Sequence, residues 1–80
     1  MPAGTITLLK SLAQKVNAIV TDNTNLFFGC NEGTIYKYVI SGGATTIVAK
    51  LNGEIVDMTY YSNVLYVGLA DGTQYSVTTA

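Results

Sequence analysis

Apolar residues in this chain come in short bursts, each closed by a turn-forming cluster. Val16 to Thr21, Leu26 to Cys30, Thr34 to Ile40, Thr45 to Leu51, Ile55 to Tyr60, Val64 to Leu69 and Thr73 to Thr78 are all rich in β-branched and aromatic residues. Each is too short for an ordinary helix, so each is predicted to be a strand. Ile6 to Leu12 is a further predicted strand, after the loose start marked by Pro2 and Gly4. Between the bursts stand Asp22-Asn23-Thr24-Asn25, Asn31-Glu32-Gly33, Ser41-Gly42-Gly43-Ala44, Asn52-Gly53, Tyr61-Ser62-Asn63 and Ala70-Asp71-Gly72. These are turn residues by composition, because Asx side chains bond nearby backbone and Gly accepts positive φ. Several bursts are apolar on both faces, as in Val16, Ala18 and Val20 against Ile19, which suits a sheet sandwiched between two others.

The strands repeat. Leu26-Phe27-Phe28-Gly29 followed by Gly33-Thr34-Ile35-Tyr36 recurs as Leu65-Tyr66-Val67-Gly68 followed by Gly72-Thr73-Gln74-Tyr75, with one constant offset for every matched pair and no gap. Leu12 and Leu51, and Thr7 and Thr46, share that offset. A period near 40 with four short strands per unit points to propeller blades, whereas a helical repeat would show an apolar rhythm of about 3.6 residues.

The run Gly29 to Tyr38, with Ser41-Gly42 after it, resembles the second and third strands of a WD40-type β-propeller blade, and Leu65 to Gly72 also resembles quinoprotein-type blades. Tyr38-Val39 and Val77-Thr78 stand where WD40 blades usually carry Trp-Asp, and the His before the innermost strand is absent. The resemblance therefore implies the blade and no family function. The expected fold is all-β: two four-stranded propeller blades per chain in one unit spanning residues 1–80. Residues 16–51 form the first blade, residues 55–80 form three strands of the second, and residues 6–12 form an outer strand that completes a neighbour's blade.

With 49% hydrophobic and 11% charged residues, the chain is far from disorder and poor in surface charge for a small monomer. A body of 80 residues buries only about 60% of its unfolded surface, so its stability needs help. A lone Cys30 and the absence of His rule out an intrachain disulfide and a zinc site, which leaves oligomerisation. Two blades would expose two apolar faces and unpaired strand edges. The expected assembly is a homo-oligomer closed by strand exchange, in which Ile6, Leu8 and Leu12 of one subunit meet Tyr75 and Val77 of the next. Two blades per chain allow a dimer, trimer or tetramer, and a homotrimer of six blades is preferred. A trefoil fragment is the alternative fold, weakened by having two units where a trefoil needs three. A formal net charge of −1 gives no basic field, so nucleic acid is not an expected partner. No run has membrane-spanning length and the first ten residues lack a signal-peptide pattern, so a soluble protein is expected.

The residues offer little chemistry. Cys30 aligns with Leu69 and reads as a small packed hydrophobe, and no Ser has a recognisable base beside it, so neither an enzyme nor a cofactor is expected. Asp22 to Asn25 reads as a turn; a calcium loop would need Gly and a downstream bidentate Glu. The candidate ligand residues are Asn31 and Glu32, their counterpart Asp71 in the matching hairpin, and Asp57 on an innermost strand. Such groups, repeated around a ring, suit a carbohydrate or other small polar ligand held between blades. Tyr36 and Tyr75, at matched positions, read as blade-to-blade packing. The expected role is therefore a non-enzymatic structural or binding module, with a lectin-like binder as the alternative and an enzyme site built across subunits a weaker third.

Overall fold

A computed structural model describes Gly4, Leu12 and residues 14–79. Among these residues are seven strands: β1 (Val16–Thr21), β2 (Asn25–Cys30), β3 (Thr34–Val39), β4 (Thr45–Lys50), β5 (Ile55–Tyr61), β6 (Val64–Leu69) and β7 (Gln74–Thr78). They form two antiparallel sheets in sequential order, β1-β2-β3-β4 and β5-β6-β7. The predicted Ile6–Leu12 strand, with its interface residues Ile6 and Leu8, lies outside the described residues except for Leu12. Among the described residues no helix is long and apolar enough to cross a membrane.

The turns follow the chemistry of their residues. Asp22 Oδ1 accepts the N–H groups of Thr24 at 2.9 Å and Asn25 at 2.6 Å, which closes the β1–β2 link and brings Asn25 into the strand. Ser62 and Asn63 both take positive φ, 50° and 67°, the backbone that a two-residue hairpin requires for its strands to twist together. Gly33 has φ 101°, a left-handed conformation that a side chain resists.

The repeat extends to irregularities that residue types alone do not announce. The β1–β2 register shifts between Val16 and Ala18, and the β5–β6 register shifts between their repeat counterparts, Ile55 and Asp57. Each shift is a one-residue bulge on the inner edge strand, which bends that strand and raises its local twist.

The core lies between the sheets, where β1 and β2 lie against β5. Phe27 and Ile35 from the first sheet meet Ile55, Met58, Leu65, Val67 and Leu69 from the second, with Ala18, Val20, Tyr60 and Val77 packed around them. Side chains alternate across a strand, so Phe27, Gly29 and Ile35 look toward the second sheet while Phe28, Cys30 and Tyr36 look away. Both sheets thus use one face for this junction and leave the other outside it.

Those two outer faces differ, which corrects the expectation that both would be apolar. On the first sheet, pairing aligns Ile19, Phe28, Tyr36 and Ile47 in one row across all four strands. On the second sheet the outer face carries Asp57, Thr59, Tyr66, Gly68, Gln74 and Ser76. Compared with their counterparts on the first sheet, Asp57 replaces Ala18, Thr59 replaces Val20 and Gln74 replaces Ile35.

Candidate functional site

The outer face of the second sheet holds a concavity of about 400 Å³. Asp57 and Thr59 of β5, Tyr66 and Gly68 of β6, and Gln74 and Ser76 of β7 line it. Alternation on three paired strands puts these side chains on one surface, with Asp57 opposite Gly68 and Gly68 opposite Gln74. The missing side chain at Gly68 makes the floor low. Hydroxyl, amide and carboxylate groups surround it, a set suited to hydrogen bonding with polar groups of an occupant.

Asp57 therefore lies on the sheet face, in the groove. Its carboxylate is exposed and takes part in no ion pair among the described residues.

Asn31, Glu32 and Asp71 sit elsewhere, in the β2–β3 and β6–β7 hairpins, and local bonds occupy both carboxylates. Glu32 accepts a hydrogen bond from the Thr34 hydroxyl and faces Lys50 Nζ at 3.4 Å. The Thr34 bond is the main cause holding its carboxyl below the usual range; desolvation opposes it, and the Lys50 ammonium adds to the lowering. Asp71 Oδ1 accepts the Thr73 N–H at 2.9 Å, and bonds from Thr73 lower its pKa likewise. In both hairpins the acid bonds to the Thr two residues on, so turn chemistry accounts for the matched pair. Asn31 uses its N–H to bond Lys15 O at 2.9 Å. The structure does not bring these residues together with Asp57, and among the described residues no group of three His, Cys, Asp or Glu is placed to hold a metal.

Cys30 is buried, in line with a packing role. Burial pushes its thiol pKa up, and the Glu32 charge adds to the rise, so the nucleophilic thiolate is disfavoured.

Of the groove residues, Asp57 is a candidate from the sequence, whereas Thr59, Tyr66, Gln74 and Ser76 are not. The signal was present in the repeat: at aligned positions Ala, Val and Ile of one copy become Asp, Thr and Gln of the other.

The second open feature is a hollow of about 200 Å³ on the outer face of the first sheet, lined by Leu12, Val16, Ile19 and Phe28. It is apolar, and Ile19 is 60% exposed.

The chain matches no protein-family model and no curated protein. Two solved structures of computationally designed proteins share its fold. The Ika4 protein is 20% identical with a TM-score of 0.74, over 81% of this chain and 41% of that one. The Ika8 protein is 19% identical with a TM-score of 0.68, over 84% of this chain and 21% of that one. This chain thus spans less than half the length of either, and at these identities the likeness is one of fold: two antiparallel sheets packed face to face, as in these designed proteins.

Proposed function

We propose that this chain is a non-enzymatic structural and binding module that self-assembles, its two sheets serving as blades of a β-propeller closed by several copies. One observation carries the reading: a row of side chains whose β5 and β6 members are packed in one repeat leaves its two isoleucines exposed in the other, with Phe28 buried between them. Met58 and Val67, with Tyr75 beside them, form a row across the second sheet, and Met58 and Val67 are only 5% and 2% exposed against the first sheet. Ile19, Phe28 and Tyr36 are the same row one repeat earlier, and they continue to Ile47, which is 63% exposed. Isoleucines held open on a sheet face favour a protein neighbour.

The edges support the same reading. Among the described residues the first sheet has four strands and the second has three, and none of them pairs with the outer edge of β7, which bears exposed Tyr75 and half-buried Val77. A strand from residues 6–12 of a neighbour completes it by β-augmentation. In both designed proteins the shared two-sheet arrangement stands beside further polypeptide, as a blade pair in a larger ring would. Copies related by rotation close into a dimer, trimer or tetramer, and six blades in a trimer is the preferred closure.

Native mass spectrometry of the full chain tests this directly. A single species at a small whole multiple of the chain mass supports the reading. A species at the mass of one chain over the whole micromolar range removes it.

The polar concavity favours a second reading, in which Asp57, Thr59, Gln74 and Ser76 hold a carbohydrate or other small polar ligand. Isothermal titration against a glycan panel tests it: heat of binding abolished by Asp57→Ala supports it, and a panel without heat removes it.

A further inference from the structure

Gly29 and Gly68 are repeat counterparts in β2 and β6, yet among the described residues only Gly29 has a neighbour that requires glycine. A Cβ on Gly29 would lie 2.6 Å from Ile55 Cγ2 and 3.1 Å from Met58 Sδ, so a side chain there would force β5 side chains to shift. A Cβ on Gly68 would meet nothing nearer than Asp57 Cβ and O at 4.0 Å, and its φ lies outside the positive region. Glycine within a strand weakens it and often marks a close approach by other backbone or a ligand. No such approach to Gly68 comes from the described residues of this chain.

We infer that Gly68 is the seat for a second copy of this chain, whose Val16 and Ile19 press on it as Ile55 and Met58 press on Gly29. The inference rests on the self-assembly proposed above and names the residues that meet. Val16 and Ile19 are the counterparts of Ile55 and Met58, each one repeat earlier. Half-buried Val16 and exposed Ile19 line the apolar hollow of the first sheet, as Gly68 lies on the floor of the polar groove. Among the described residues the chain therefore carries both halves of a contact a second time, without the partner that fills it between the two sheets.

Charge points to the same occupant. At the filled junction the Asn17 amide donates to Glu54 Oε2 and to Ile55 O, both at 3.0 Å, bridging the bulge of β1 to the start of β5. The repeat offset turns Glu54 into Lys15 and Ala18, beside Asn17, into Asp57. Repeating the junction brings Lys15 of the second copy beside Asp57. Both side chains are exposed and outside any ion pair among the described residues. Opposite signs meet where like charges would have repelled the copy.

The strand edge agrees with this placement. Leu51 N–H donates to Gly33 O at 2.8 Å where β4 leaves the first sheet. Its counterpart is Leu12 of the second copy donating to Gly72 O, so one displacement serves the groove and the open edge of β7 together.

The test uses the full chain and sedimentation equilibrium with circular dichroism. Gly68→Val adds a β-branched side chain to a strand position with room for it, so it keeps the β-sheet spectrum and weakens assembly at least a hundredfold. Asp57→Lys and Lys15→Asp each weaken assembly about fivefold, and the double variant recovers most of the loss. Gly68→Val assembling like the parent chain overturns this docking while leaving self-assembly intact. A parent chain that stays at the mass of one copy overturns self-assembly itself. If Gly68→Val loses its fold, the charge exchange decides, and a double variant no better than the singles overturns the docking.

Discussion

The Phe27 and Tyr60 rings stack across the seam between the sheets, their centroids 6.0 Å apart and their planes within 10° of parallel. Phe27 is fully buried, and the Tyr60 hydroxyl reaches out to donate to Asn63 Oδ1 at 3.0 Å, so one pair ties the core to the β5–β6 turn. Removing the Phe27 ring leaves a cavity that the flanking strands cannot close. Phe27→Ala is expected to destabilise the chain by about 3 to 5 kcal/mol in urea titration, against about 1 kcal/mol for Tyr60→Leu, which keeps apolar bulk and loses the stack.

Gly29→Ala separates the contact inside the chain from the one proposed between copies. The new methyl meets Ile55 Cγ2 at 2.6 Å, and overpacking of this kind costs about 1 to 3 kcal/mol. Gly68→Ala meets only ordinary van der Waals neighbours and leaves the melting point of the isolated chain unchanged or slightly raised. Thermal denaturation of the two variants at high dilution, where association is suppressed, checks the contrast.

Acid is expected to weaken the fold. Partial burial of Asp22 raises its pKa, but the N–H groups of Asn25 and Thr24 and the Asn25 side chain outweigh that, and the net shift is downward. Glu32 and Asp71 are lowered as well. A carboxyl held below its unfolded value adds stability that is fully present above the unfolded pKa and is lost as pH falls through the folded one. The urea midpoint is therefore flat from pH 8 to about 5 and falls below about pH 4.5. Asp22→Ala lowers stability by about 1 kcal/mol at pH 7 and flattens part of that acid slope; an unchanged slope would show that Asp22 bonds its turn no better folded than unfolded.

The repeat makes much of the fold legible in the sequence. Short β-branched and aromatic runs closed by turn residues marked seven of the strands to within a residue or two, and the matched Leu, Gly, Thr and Tyr residues marked their division into a four-stranded and a three-stranded sheet. Strand ends moved where hydrogen bonds outweighed composition: Asn25 entered β2 because Asp22 holds its N–H, and Tyr61 extended β5 because Ser62 and Asn63 suffice for the turn. The bulges at Val16 to Ala18 and Ile55 to Asp57 were hidden, since a bulge depends on pairing register and leaves residue types unchanged. The candidate site was half visible. Asp57 drew notice as a charge in an apolar strand, but its groove partners Thr59, Gln74 and Ser76 are ordinary strand-face residues until pairing sets them side by side.

Cys30 offers a direct probe of the other outer face. Its thiol is buried, Val16 lies opposite it in the β1–β2 ladder, and burial with the Glu32 charge holds it in the protonated form. A thiol-reactive dye needs both thiolate and access, so labelling under native conditions waits on local opening. At pH 8 the native chain is expected to label at least about a hundredfold more slowly than the same chain in denaturing urea, and the rate should climb steeply through the unfolding transition. Glu32→Gln removes the nearby negative charge and leaves the burial, so it raises the native rate only a few-fold. Native labelling as fast as in urea would mean that the face carrying Val16, Ile19 and Phe28 does not cover the thiol, and the packing assigned to β1 against β2 would fall with it.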